Sequence, residues 1–362
     1  MTMRKKASKK IKEFPFLPLF EKFISDSASG RRHQKNGLRL KPESVMNYRM
    51  TLKCLQQFNE KFQFGLRIRD VRKSSNREIE SEQLYWKRFY QRFSEFLYSQ
   101  KSAFDNYAGF HFKNIRTFFS YLLTDRGMQI GQFHKSFYVR KEKLPVLVLS
   151  PERLQFLIHD KQFEESLSNQ MKMIKDIFVL GCTLGLRVSD LLGLTKANIE
   201  PEGKAIYISV NSRKTHTYTR ILIPDYAINI INRNRVSGSK LLPPISNSCL
   251  NKKIKLLGEL AGWTEPRLVS RERQGKVIML FRNSKTRTPF RFCDLITSHM
   301  MRRTAISTFL RLGMPEHLVR KISGHAPGSR EFYRYVEISQ SQLDDEARKI
   351  YRKLENSLYE KQ

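Results

Sequence analysis

From Pro42 to Gly127, large apolar side chains return every three or four residues, a spacing that a helix gathers onto one face. Pro42 opens the first such stretch, in which Val45, Tyr48, Leu52, Leu55, Phe58 and Phe62 share a side. A second carries Trp86, Phe89, Phe93 and Phe96; a third carries Ile115, Phe118, Phe119 and Leu122 and stops near Gly127. With the segment around Phe20–Ile24, they predict a bundle of about four helices whose core is aromatic. The faces left to solvent are basic: Lys87, Arg88 and Arg92 on one helix, Lys113 and Arg116 on another. These are the expected phosphate contacts of this domain.

The bundle is expected to span residues 14–127, behind a basic arm at 1–13 with too few apolar residues to pack. Residues 128–149 lack long periodicity, include Arg140-Lys-Glu-Lys143 and Pro145, and read as a linker. Ser150-Pro151 then opens a second domain, 150–339, with Ser placed to cap a helix and Pro at its first position. A helix is expected from Met171 to about Thr183, ended by Gly185. Ala205–Val210 and Tyr218–Ile223 alternate as two strands of a hairpin. Helices resume over Ser298–Leu312, closed by Gly313, and Pro315–Ser323, closed by Gly324. Residues 340–362 hold a terminal helix with Leu343, Ala347, Ile350, Leu354 and Leu358 as one stripe.

Lys and Arg number 67 against 34 Asp and Glu, a formal charge of +33 spread along the whole chain. The composition is nevertheless globular, 40% apolar with 25 Phe and 14 Tyr, so this is no disordered basic tail. Charge of this size without a partner is self-repulsion with nothing to offset it, and a nucleic acid backbone is the polyanion that fits. Cys54, Cys182, Cys249 and Cys293 lie far apart with no C-x-x-C pair, which argues against a zinc site or disulfide framework. No apolar run approaches the roughly 18 residues of a membrane span. Two prolines and Glu21-Lys22 spoil Phe14–Phe20 as a secretion signal, so the expected location is the cytoplasm, at the nucleoid.

Arg187 follows the turn at Gly185, where a fixed backbone can aim a guanidinium at phosphate oxygens, and Asp190 is placed to hold it. Taken alone, the pair reads rather as a surface ion pair. His299 and Arg302 share a helix face, so one can meet a leaving oxygen while the other binds a non-bridging oxygen of the same phosphate. His325, just past Gly324, can reach the same place or simply cap its helix. Lys214 lies at the hairpin tip, able to protonate a leaving oxygen or to stay a solvated turn lysine; its neighbour Arg213 is the weaker candidate. Tyr333 and Tyr335 stand roughly 200° apart on a helix, so only one can face the phosphate.

In order and spacing, the series Arg187, Lys214, His299-x-x-Arg302, Gly324-His325, Tyr335 resembles the tyrosine recombinase (phage integrase) family. Leu184-Gly-Leu-Arg-Val-Ser-Asp-Leu191 looks like that family's first arginine box, and Thr297-Ser-His-Met-Met-Arg-Arg-Thr-Ala305 like its second. The wording is similar to integrases of bacterial mobile elements, especially the Bacteroides type. The resemblance implies a mainly α, two-domain fold: a helical core-binding (SAM-like) bundle, then an α+β catalytic domain with a small antiparallel sheet. It implies a site-specific DNA recombinase that cuts and rejoins strands through a 3′-phosphotyrosine, with Tyr335 as nucleophile. Arg187 and Arg302 would stabilise the phosphorane, Lys214 would be general acid, His299 acid/base, and His325 a donor to a non-bridging oxygen. No metal or nucleotide cofactor is implied. The implied partners are double-stranded DNA and copies of the same chain, a tetramer on paired sites joined through the terminal helix, with accessory DNA-bending proteins as further candidates. An integrase-derived DNA-binding protein without strand transfer, or a topoisomerase of the same mechanism, is the alternative.

Two departures stand out. Many relatives place the nucleophile nine residues after the histidine of the Gly-His pair, where this chain has Arg334. Matching Phe332-Tyr-Arg-Tyr-Val-Glu-Ile-Ser339 to the family's ending selects Tyr335 over Tyr333 and implies one extra residue between Ala326 and Arg330. The second is the lack of a clear arm-binding domain ahead of the bundle, which leaves arm binding to the basic tail or dispenses with it.

Overall fold

The computed structural model describes residues 12–34, 36–212, 217–234, 238–325, 328–329, 332–333 and 347–352. The chain forms two compact units, residues 1–144 with 270–280, and residues 145–269 with 281–362.

In the first unit, α1 (Phe16–Ser29), α2 (Pro42–Phe62), α3 (Asn76–Ser99) and α4 (Asp105–Thr124) enclose the aromatic core. A short antiparallel pair, β1 (Glu13–Pro15) with β2 (Arg67–Arg69), closes one end. Ser75 starts α3 with a full capping box: its hydroxyl accepts from Glu78 N while the Glu78 carboxylate accepts from Ser75 N. Phe16, Phe20, Phe58, Trp86, Phe89, Phe93, Phe118 and Phe119 are fully buried, so the stripes legible in the sequence are core. Lys87, Arg88, Arg92 and Lys113 are exposed, and Arg116 is half-buried.

Of the stretch expected as a linker, 128–149, the residues up to Leu144 cluster with this unit. Ile130 and Phe137 are buried, and the Phe137 ring sits 5.8 Å from Phe89 and 6.2 Å from Trp86. Isolated apolar residues here fill gaps between helices one at a time, so they leave no periodic signature.

In the second unit, α5 (Pro151–His159), α6 (Lys161–Ser166), α7 (Asn169–Leu184) and α8 (Val188–Leu191) lead into the sheet β3 (Ile199–Glu202), β4 (Ala205–Asn211) and β5 (Tyr218–Leu222). Both strand pairs are antiparallel, with Ile208 opposite Ile199 on one side and Ile221 on the other. Then come α9 (Asp225–Arg233), α10 (Asn247–Leu260), β6 (Pro266–Arg267), β9 (Phe290–Arg291), α11 (Phe292–Leu295), α12 (Ser298–Arg311) and α13 (Glu316–Ser323), while between β6 and β9 the chain runs out through β7 (Val269–Arg273) and β8 (Lys276–Leu280), which from residue 270 belong to the first unit. Helix α7 is the hub, apolar on nearly every side, with α10 and α12 laid against it. Ser150 caps α5 as the sequence led one to expect, accepting from Arg153 N. Of the terminal stripe, Leu343, Leu354 and Leu358 lie outside the described residues, and Ile350 is 57% exposed.

The β7–β8 hairpin had no forewarning in the sequence reading. Its residues 270–280 join the first unit, turning through Gln274 and Gly275, both with positive φ (55° and 76°). Two buried carboxylates receive it. Asp105 accepts from Gln274 N (2.7 Å), Gly275 N (2.8 Å) and the Tyr98 hydroxyl (2.7 Å). Glu142 accepts from Arg271 Nε (2.9 Å) and Nη2 (2.6 Å) and from Glu272 N (2.7 Å). Burial pushes both carboxyls up, but these donors outweigh it and hold each below the usual carboxylate range.

The first unit also buries two histidines. His111 touches Thr51 Oγ1 through Nδ1 (3.0 Å), while its Nε2 and the Nδ1 of His134 have no partner among the described residues. Burial pushes both imidazoles from 6.5 down to about 4. Between those values the unfolded chain binds protons that the folded unit refuses, so stability is complete above pH 6.5 and falls as pH drops toward 4. The loss is on the order of 3 kcal/mol for each histidine. His134 stacks on Phe119 at 5.0 Å, a site that suits phenylalanine. His134→Phe is therefore expected to melt progressively above the wild type as pH falls from 6.5 to 4; a constant difference in Tm across that range would contradict it.

Candidate active site

Helix α7 ends on Gly185, whose φ of 64° is left-handed backbone that suits a residue without Cβ. The chain then reverses, and Arg187 enters α8 in extended conformation, half-buried. Helix α12 lies unusually close to α7: a Cβ on Gly181 would fall 2.4 Å from Met301 Sδ, and one on Gly185 3.1 Å from the Ala305 Cβ. That approach brings Arg302, 4% exposed, up to the end of α7. Its Nη1 donates to Gly185 O (2.9 Å) and its Nη2 to Ser323 O (2.5 Å). Both acceptors are carbonyls at helix C-termini, where partial negative charge collects, so the guanidinium is anchored without losing its full positive charge.

Helix α13 ends on Gly324, also left-handed (φ 61°), and the chain turns there to present His325. Its Nδ1 lies 2.8 Å from Ser323 Oγ, and both ring nitrogens lie within 3.3 Å of Arg302 Nη2. Burial pushes this imidazole down to about 3, assisted by the positive charges of Arg302, Arg187 and Arg320 and by His299. His325 is thus neutral near pH 7 and carries a single N–H. His299 is exposed at the start of α12, one turn before Arg302.

Arg187 and Asp190 meet through a residue the sequence reading did not single out. Arg187 Nη1 donates to Ser212 Oγ (2.8 Å), and the Ser212 hydroxyl donates to Asp190 Oδ2 (3.1 Å). Along β4, Ile206, Ile208, Val210 and Ser212 alternate onto one side, and Ser212 is the polar residue at the end of that inward register. A hydroxyl in an apolar register was the available signal. Ser323 and the Gly185 carbonyl were likewise missed, the second because a backbone acceptor leaves no mark in sequence.

Of the expected site residues, Arg187, His299, Arg302 and His325 come together in the second unit. Lys214 and Tyr335 lie outside the described residues. The ends of the loop that carries Lys214 are placed: Ser212 N donates to Thr217 O (3.0 Å), and a Cβ on Gly324 would lie 3.7 Å from Thr217 Cβ. Tyr333 is 51% exposed, with the Arg320 guanidinium 4.7 Å from its ring centre.

Two guanidiniums and two imidazoles thus gather in the second unit, residue types whose chemistry suits binding a phosphate and moving protons. The sequence profile of the phage integrase family matches residues 157–342, slightly more than half of the 362, and spans all of these side chains. The chain belongs to the phage integrase family. Among curated proteins none matches it significantly in sequence. Solved structures similar to this integrase-family chain include a lambda integrase dimer bound to a COC′ core site, at 14% identity and TM-score 0.55, covering 89% of this chain and 77% of that one. XerH recombinase in a post-cleavage complex with palindromic difH is similar at 13% identity and TM-score 0.57, covering 92% and 84%. The Tn1549 transposon integrase with circular intermediate DNA is similar at 14% and 0.56, covering 91% and 98%. At such identities the likeness establishes the fold, and the expected class stands: mainly α, two units, small antiparallel sheets. Among the described residues no helix is long and apolar enough to cross a membrane.

Proposed function

We propose that this integrase-family enzyme is a site-specific DNA recombinase of a mobile element, using Arg187, Lys214, His299, Arg302, His325 and Tyr335. The observation that carries the reading is the convergence of Arg187, His299, Arg302 and His325 beside both ends of the Lys214 loop. In the forward step the Tyr335 hydroxyl attacks a backbone phosphorus, passing its proton to His299. The bond to the 5′-oxygen breaks, Lys214 protonates that oxygen, and a 3′-phosphotyrosine remains. Religation reverses each transfer, so no metal or nucleotide enters the reaction as written. Arg187 and Arg302 hold the negative charge that grows on the pentavalent phosphorus, and neutral His325 donates to a non-bridging oxygen. Lys87, Arg88, Arg92, Lys113 and Arg116 of the first unit bind phosphates of the same duplex. A tetramer on paired sites, docked through the terminal helix and assisted by DNA-bending proteins, completes the reading.

The test is a pool of randomised duplexes, each nicked so that cleavage releases a short fragment and traps the enzyme. Denaturant-resistant adducts enriched for one sequence are expected. Adducts at every sequence would make the enzyme a relaxing topoisomerase, and binding without adducts would make it a DNA-binding protein only.

A further inference from the structure

We infer that Ser212 is a positioning residue for Arg187, setting the guanidinium toward the scissile phosphate through a fixed hydrogen-bond relay to Asp190. The inference rests on the proposed strand-cleavage reading and adds a residue to it.

The relay has only one possible polarity. A guanidinium can only donate and an ionised carboxylate can only accept, so the single proton of the Ser212 hydroxyl points to Asp190 and its lone pair receives Arg187. Ser212 and Asp190 are 6% and 5% exposed, so water does not substitute easily for either link. Both ends of the relay are anchored: Asp190 N donates to Arg187 O (2.9 Å) in the first turn of α8, and Ser212 N donates to Thr217 O at the base of the loop carrying Lys214. The serine therefore ties the arginine to the strand from which the proposed general acid emerges. It also keeps carboxylate and guanidinium one hydroxyl apart. Without that spacer the two side chains, three residues apart, are free to close on each other, and the fork turns from phosphate to Asp190.

The test uses the full-length protein and a nicked duplex selected from the randomised pool, with single-turnover adduct formation as the readout. Ser212→Ala is expected to slow cleavage by about 10- to 100-fold with unchanged DNA retention, while Ser212→Thr, which restores a hydroxyl, recovers most of the rate. A duplex whose scissile phosphate carries a neutral methylphosphonate no longer needs the full charge of Arg187. On it the Ser212→Ala defect should shrink to less than about threefold, which a merely structural defect would not do. Adding Ser212→Ala to Arg187→Ala should cost little more than Arg187→Ala alone. Wild-type cleavage by Ser212→Ala, or an equal defect on both duplexes, overturns the inference and leaves the proposed function standing. Failure of the wild type to form any adduct overturns the function itself.

Discussion

Tyr335→Phe is expected to abolish the covalent DNA adduct completely while leaving duplex binding unchanged. In the proposed mechanism the phenol oxygen is the atom that becomes bonded to phosphorus, and phenylalanine has none to offer. Tyr333→Phe is expected to form adduct at a rate within about tenfold of wild type, because that side chain already has a structural employment. Arg320 lies over the rings of both Phe332 (4.8 Å) and Tyr333 (4.7 Å). Phe332 in turn is fully buried, edge-on to His325 at 5.4 Å. Tyr333 is thus the outer layer of a stack that steadies His325, and phenylalanine keeps the stack. Adduct bands on denaturing gels decide the matter: adduct from Tyr335→Phe but not from Tyr333→Phe transfers the nucleophile to Tyr333.

Arg302→Ala carries the second large effect, an expected loss of cleavage rate on the order of a thousandfold, about 4 kcal/mol of transition-state stabilisation. The same substitution strands Gly185 O and Ser323 O, two buried acceptors that Arg302 now satisfies. It also relieves a buried charge, so the two stability terms oppose each other and Tm should fall by only a few degrees. Arg302→Lys separates charge from shape. One ammonium cannot span the end of α7 and the end of α13 while also presenting a fork to phosphate, so lysine should recover no more than about a tenth of the wild-type rate. A lysine variant at full rate, measured in single-turnover cleavage, would show that point charge alone suffices.

The bundle was legible because its helices obey a period: Phe58, Trp86, Phe89, Phe93, Phe118, Phe119 and Leu122, all buried, sit at helical repeats within their helices. So were the ends of α7, α12 and α13, since Gly185, Gly313 and Gly324 stop helices by their own backbone freedom. The site was legible in part. Arg187, His299, Arg302 and His325 announced themselves by residue type and order. What escaped was whatever depends on approach in space rather than on pattern along the chain. The packing of Phe137 is one case, and the capture of the 270–280 hairpin by Asp105 and Glu142 is another. The Ser212 relay is the third: Asp190 was expected to hold Arg187 directly, but a hydroxyl stands between them, and it comes from just past β4, more than twenty residues on, with only its odd polarity in an apolar register to betray it.

The most direct measurement is to digest the trapped wild-type adduct with nuclease and protease and locate the residual nucleotide by peptide mass spectrometry. The expected product carries a 3′-linked nucleotide phosphate on Tyr335. A nucleotide on Tyr333, or on any residue other than a tyrosine of this segment, would contradict the account.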